Sequence, residues 1–505
     1  MNANLYALFE SHFPEGPEKP CLLVRNGPVV HYDELAATSA RIANALVRLG
    51  CRPGDRVAVQ TDKVWHTIAL YLACLRAGLV YLPLNTAYQR SELAFFFADA
   101  TPKVIVCRPE MLGVIATLDR KAHVLTLDAA GGELLDRARD APDRFDTVHS
   151  RPDDLAAILY TSGTTGRSKG AMLTHRNLAS NAVALVEAWS FTSSDTLLHA
   201  LPVFHVHGLF VATHCVLLSG ARMLWVPRFD ARDVVDLLPS ATVMMGVPTY
   251  YTRLLAEPSF DRQRCGSVRL FVSGSAPLLP ETFAAFEQRS GHAILERYGM
   301  TETGMITSNP LDGARVPGTV GRPLAGIEVR IMDEATACEP GRIGSVQVRG
   351  PNVFAGYWNL PDKTRDEFTP DGWFRTGDVG EWLAEGHGAG YLRLVGRAKD
   401  LIITGGLNVY PKEIEERIDR LPGVMESAVI GVPDADFGEA VVAVVVARDG
   451  VAVAERHVIG ALRAEIASFK VPKRVFVVTE LPRNAMGKVQ KNVLRETYSR
   501  AVQDR

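Results

Sequence analysis

Leu155-Ala-Ala-Ile-Leu-Tyr160 runs directly into Thr161-Ser-Gly-Thr-Thr-Gly-Arg-Ser-Lys-Gly170. The first stretch is a short apolar run bounded by turn signals, the pattern of a buried strand. The second is a loop suited to phosphate. Gly163 and Gly166 let the backbone approach an anion, Thr161, Ser162, Thr164 and Thr165 supply hydroxyls and amides, and Lys169 brings charge. It is not a Walker loop, in which Lys and Ser or Thr follow the second glycine at once; here Arg167 and Ser168 intervene and Lys169 precedes Gly170. A strand that empties into such a loop makes the chain a nucleotide-handling α/β protein in outline.

Outward from this loop the chain switches repeatedly between helix and strand periods. Leu35, Ile42, Leu46 and Leu49 share a helical face from Tyr32 to Leu49, Gly50 caps it, and Arg56-Val-Ala-Val-Gln60 reads as a strand. A helix at about 67–77 and a strand at 80–84 follow, so α/β layers with largely parallel sheets are expected. Past about residue 315 the texture changes. Gly318, Gly321, Gly326, Gly341, Gly344 and Gly350 punctuate short alternating strands such as 343–349, which predicts a small antiparallel or barrel-like piece. Beyond residues 396–400 a further segment has its own strand signals at 428–430 and 441–446 and a helix from 454 to about 468.

The 505 residues exceed one ordinary core, so two or more domains are expected. With 47% hydrophobic and 22% charged residues and a net charge of −2, the chain has no global field for nucleic acid or an anionic membrane. The longest apolar run, 440–447, is too short for a membrane span, and the N-terminus lacks a basic leader. Seven cysteines scattered singly without a CxxC argue against disulfides and zinc and fit a reducing cytoplasm.

Taken together, Tyr160 to Gly170, Tyr298-Gly-Met-Thr-Glu302, Thr376-Gly-Asp378, Gly396-Arg-Ala-Lys-Asp400 and Pro482-Arg-Asn-Ala-Met-Gly-Lys488 resemble the adenylate-forming superfamily of acyl-CoA synthetases, luciferases and peptide-synthetase adenylation domains, over nearly the whole chain. The resemblance implies an α/β fold: a large N-terminal domain (1–396) of two layered α/β sheets plus a small β-barrel (about 315–396), and a small mobile α+β C-terminal lid (397–505). It also implies the chemistry. ATP activates a carboxylate as an acyl adenylate with loss of pyrophosphate, and the thiol of CoA then displaces AMP. The first step brings two anions together, so charge neutralisation is the main task.

Lys488 is the cation expected to touch both the acyl carboxylate and the α-phosphate. Glu302, with Thr161 beside it, looks like the Mg²⁺ ligand. Asp378 and Arg397 resemble the pair that holds the ribose hydroxyls. Gly274, Ser275, Ala276 and Pro277, with Glu296, Arg297, Tyr298, Gly299, Met300 and Thr301, resemble the nucleotide walls. Lys399 sits at the family's hinge position, and Gly405 and Gly406 resemble the segment that approaches CoA. Reversible acetylation of Lys488 is a further expectation from the family.

Pro202-Val-Phe-His-Val-His-Gly208, Gly246-Val-Pro-Thr-Tyr-Tyr-Thr-Arg253, Ser273-Gly-Ser275 and Glu296-Arg297 resemble malonyl-CoA synthetases in particular. A fatty-acid pocket needs apolar walls, whereas a second carboxylate needs cations and hydroxyls. Arg253 and Ser275 are therefore expected on the distal carboxylate of malonate, His205 near the reacting carboxylate, and Val206 and Met305 on the acyl wall, to which Gly304 gives room. Methylmalonate is a second expected substrate. The rivals are acyl-CoA synthesis from another short or medium-chain acid, a carrier-loading adenylation module, for which no carrier segment follows Lys488, and a noncatalytic nucleotide-binding protein. The expected partners are small molecules only, with no nucleic acid and no membrane.

Overall fold

The computed structural model describes residues 2–16, 18–161, 168–404, 407–434, 437–484 and 487–503. They pack into two compact units. One comprises 1–317, 321–329 and 348–374, and the other 318–320, 330–347 and 375–505. The packing boundary thus differs from the expected one at 396: residues on both sides of Lys399 belong to the second unit, together with most of the small sheet.

The first unit holds two sheets. A six-stranded sheet runs in the order His123–Thr126, Val104–Cys107, Arg56–Gln60, Val80–Pro83, Leu155–Thr161, Lys169–Thr174. It is parallel except for its last hairpin, in which Leu155–Thr161 returns antiparallel through Lys169–Thr174. A nine-stranded sheet has a parallel centre, Pro20–Val24, Arg222–Trp225, Thr196–His199, Val243–Gly246, Leu270–Ser273 and Leu295–Met300, with antiparallel strands at both edges. The central strands are apolar on both faces, as Val243–Gly246 and Leu270–Ser273 show, because helices cover both sides of a parallel sheet. Tyr251 and Leu254 on helix Pro248–Ala256 and Phe283 and Phe286 on helix Pro280–Ser290 pack with Met244 and Phe271 in one such layer.

In the second unit lies most of a five-stranded sheet, whose last two strands, Phe374–Trp382 and Leu392–Arg397, pair antiparallel. A further sheet pairs Gly438–Ala447 with Val424–Asp434 and Ile402–Thr404, antiparallel, and with Arg474–Val478, parallel. The apolar run at 440–447 is its spine. Val441, Ala443 and Val445 enter one buried cluster and Ala440, Val442, Val444 and Val446 the other, since successive side chains leave a strand on opposite faces. The helix expected at 454–468 ends at Glu465 and gives way to a short 3₁₀ turn at Ser468–Lys470. Among the described residues, no helix is long and apolar enough to cross a membrane.

Candidate active site

Four adjacent parallel strands of the nine-stranded sheet end on the same edge, at His199, Gly246, Ser273 and Met300. The segments that follow three of these strand ends and the end of the fourth itself, 200–208, 247–253, 274–277 and 296–301, carry almost every residue expected to read the acid and the nucleotide base. The carboxyl ends of parallel strands are where such sheets bind ligands.

The segment 200–208 closes tightly. A Cβ on Gly208 would lie 2.1 Å from the Pro202 carbonyl oxygen, and the chain then enters a π-helical turn, His207–Thr213, buried throughout. That turn puts His207, not His205, in the interior: it is 1% exposed, its Nδ1 lies 3.3 Å from Ser275 Oγ and its Nε2 has no hydrogen-bond partner. Burial, then the neighbouring Arg297 charge, holds the imidazole pKa well below its usual value. His205 stands half-exposed, its Nδ1 accepting from His207 N. Ser275 sits at φ +71°, a left-handed conformation seldom adopted by a residue with a side chain and one that recurs at functional sites.

Arg297, read from sequence as part of the nucleotide wall, is 3% exposed, with Nε and Nη2 unpaired. Gly274 makes room for it, since a Cβ there would come within 2.3 Å of Cζ. Burial pushes the guanidinium pKa down. Ser273 Oγ, fully buried on the neighbouring strand, is also unpaired. Arg253, expected to be the buried cation, is exposed instead. It stands on the outer side of helix Pro248–Ala256 beside Phe229, Asp230 and Glu257, around a surface cleft of about 330 Å³, because Tyr251 and Leu254 take the inward face. Gly304 takes φ +58°, and a Cβ there would come within 2.5 Å of Asn181 Oδ1. Met305 is buried, and its amide donates to the same oxygen at 2.9 Å. Val206 lines a small cavity of about 10 Å³ together with Phe210, Thr301 and Gly304.

On the nucleotide side, Ser275, Ala276 and Pro277 and Gly299, Met300 and Thr301 are accessible, whereas Tyr298 is buried. Glu302 is 6% exposed and its Oε1 accepts from Tyr357 Oη at 3.0 Å. Lys169 Nζ lies 4.1 Å from the centre of the Tyr357 ring and 3.5 Å from Glu367 Oε1, so Lys169 and Glu302 both touch Tyr357. Thr161 Oγ1 donates to the Lys169 carbonyl at 3.4 Å. The loop residues Ser162, Gly163, Thr164, Thr165 and Gly166 lie outside the described residues, as do Gly405 and Gly406.

In the second unit, Asp378 and Arg397 face each other across two strands, with Arg397 Nε 2.7 Å from Asp378 Oδ1. Lys488 is exposed on a tight turn in which Asn484 Oδ1 accepts from its amide and Gly487 takes φ +74°. Lys399 is exposed in the 3₁₀ turn Ala398–Asp400.

The sequence family model for the AMP-binding enzyme matches residues 9–358, and that for the AMP-binding enzyme C-terminal domain matches 413–488. The chain belongs to the AMP-binding enzyme family. Within it, this chain is 37% identical to the mitochondrial malonate–CoA ligase ACSF3 of Mus musculus, over 92% of this chain and 87% of that one. Crystalline ATP-bound MatB from Rhodopseudomonas palustris superposes with a TM-score of 0.96 at 53% identity, covering 99% of each chain. A feruloyl-CoA synthase from Amycolatopsis is 36% identical over 94% of each chain. This AMP-binding enzyme is accordingly an AMP-forming acid–CoA ligase that takes ATP and CoA as substrates.

Proposed function

We propose that the acid is malonate and the enzyme a malonyl-CoA synthetase, with methylmalonate as a second substrate. One observation carries the reading: the Arg297 guanidinium is buried with two nitrogens unpaired, and its charge acts on the buried His207, whose Nε2 is also unpaired. Burying an uncompensated cation costs several kcal/mol, and an anion that enters with the substrate recovers that cost. A distal carboxylate does this; an aryl or alkyl tail does not. Ser275 then completes its contacts, and His205 stands by the reacting carboxylate.

In the first step a malonate oxygen forms a bond to the α-phosphorus of ATP while the bond to the pyrophosphate oxygen breaks. Lys488 spreads its charge over both anions, and Asp378 with Arg397 orients the ribose. In the second, the CoA sulfur attacks the acyl carbon, AMP leaves with the bonding pair, and the thiol proton passes to solvent. Glu302 and Thr161 would hold Mg²⁺, which would supply charge neutralisation at the phosphates when bound. The donors fit such an ion: Glu302 is a buried carboxylate held by Tyr357 Oη and Thr161 carries a hydroxyl, hard oxygens of the kind Mg²⁺ takes. Lys399 is the pivot between the two steps, with Gly405 and Gly406 approaching CoA in the second. Lys399→Pro then spares pyrophosphate exchange and lowers acyl-CoA output. We place the enzyme in a reducing compartment, which its free cysteines fit.

A panel of acids, comprising malonate, methylmalonate, sulfoacetate, acetate, hexanoate and ferulate, assayed by acid-dependent pyrophosphate exchange and by CoA-ester formation, tests the reading. Malonate is expected to give the highest kcat/KM. A preference for hexanoate or ferulate would overturn it.

A further inference from the structure

We infer that Lys63 is a positioning residue for the acid subsite, acting through His199 on the segment that carries His205 and His207; the inference rests on the reading of that subsite given above. Lys63 stands between strand Arg56–Gln60 of the six-stranded sheet and helix Trp65–Arg76, and its ammonium crosses to the nine-stranded sheet. Nζ lies 2.9 Å from His199 Nδ1, donates to the His199 carbonyl at 2.7 Å and to the Val226 carbonyl at 2.8 Å, and lies 4.4 Å from the centre of the Trp225 ring. Among the described residues, no carboxylate pairs with it. An ammonium whose three protons all go to fixed acceptors is holding geometry, since nothing beside it needs neutralising.

The grip sets a tautomer. With Nδ1 accepting from Lys63, the His199 proton resides on Nε2, which donates to the Gly208 carbonyl at 2.9 Å. Thr213 Oγ1 donates to the same carbonyl, also at 2.9 Å. Gly208 directly follows His207, and a Cβ on it would lie 2.1 Å from the Pro202 carbonyl oxygen. Two donors on one side and the Pro202 contact on the other fix where the π-turn begins, and so where His207 meets Ser275. Without the ammonium, the imidazole is free to carry its proton on Nδ1. Its Nε2 lone pair then faces the Gly208 oxygen and the clamp becomes a repulsion.

A merely structural cross-link predicts fewer folded molecules with unaltered Michaelis constants. Positioning predicts a selective loss of acid affinity. The test uses the full-length enzyme and pyrophosphate exchange with the best acid of the panel. Lys63→Met is expected to raise KM for the acid by about tenfold or more and to leave KM for ATP within about twofold, while Lys63→Arg, which keeps the donors, returns the acid KM to within about threefold of wild type. Parallel changes in both constants, an unmoved acid KM, or no rescue by arginine would overturn the inference. Arg297→Met, run beside these, separates the two readings: if it leaves the acid KM unmoved, the subsite itself is wrongly placed, whatever Lys63 does. Should Lys63→Met not fold, ¹⁵N imidazole shifts of the wild-type enzyme decide. A His199 proton on Nε2 supports the proposal, and one on Nδ1 ends it.

Discussion

Arg297 shows what a residue's surroundings add to its type. The resemblance pointed to Arg253 for a dicarboxylate and set Arg297 in the nucleotide wall. Which arginine is desolvated was not legible, because that depends on Gly274, just past the end of the neighbouring strand, lying against Arg297, a placement unavailable before folding. His207 was missed for the same reason: it shares a motif with His205, and only the π-turn decides which ring goes inside. A buried cation with unpaired nitrogens weakens the unliganded fold while serving the substrate, so Arg297→Met separates stability from function. The variant is expected to lower kcat/KM for malonate by about two to three decades, the cost of stranding a carboxylate without its partner, with KM for ATP within about twofold. Its thermal midpoint without ligand should equal or exceed that of wild type, and malonate should stabilise only the wild type. Arg253→Ala, at an exposed and solvent-screened site, should cost less. A larger loss from Arg253→Ala would return the role to that residue.

At the scale of elements, the alternating periods located the strands closely: 56–60, 80–84 and 155–160 fall on observed strands to within a residue at each end. Parallel strands buried on both faces read as plain apolar runs, which is why they were legible. The π-turn was not, since its wide hydrogen-bond spacing leaves no periodic trace in a seven-residue stretch that is apolar throughout except for two polar residues. Its entrance is the vulnerable point. Gly208→Ala would place a methyl group 2.1 Å from the Pro202 carbonyl, and the obstructing atom is backbone, which cannot swing aside. The expected result is a loss of stability of about 2 kcal/mol or more, with acid-dependent exchange falling further than the folded fraction does. The opposite change is expected at Gly460, inside helix Glu455–Glu465, where a Cβ meets nothing within 4 Å. Gly460→Ala should stabilise by about 0.5–1 kcal/mol without affecting either half-reaction. Urea titrations of both variants measure the two effects.

At the scale of the molecule, the motif order announced the family, and the two compact units do not part at 396, because contacts group residues by shared core whereas a hinge marks where a chain turns. The core of the first unit carries a property that no motif announced. His66, His175, His199, His207 and His214 all have pKa values below 6.5, to about 4 for His66 and His175 and about 3 for His214. Burial is the first cause in each, with Lys63 adding to it at His199 and Arg297 at His207. The unfolded chain takes up protons at these residues near pH 6.5, and the folded chain resists doing so until the pH is far lower. Unfolding therefore binds protons across that window, so stability is complete above pH 6.5 and falls as the pH drops below it, with a limiting slope of about 1.4 kcal/mol per pH unit for each histidine. Carboxylates titrate lower and cannot cause a decline that starts there. The urea midpoint of the first unit, measured without nucleotide, should be flat from pH 8 to 7 and should fall steadily from 6.5 to 5. Because the slope is shared, replacing one histidine should leave most of it in place; a midpoint unchanged down to pH 5 would mean that these rings take up protons in the folded state as readily as in the unfolded chain.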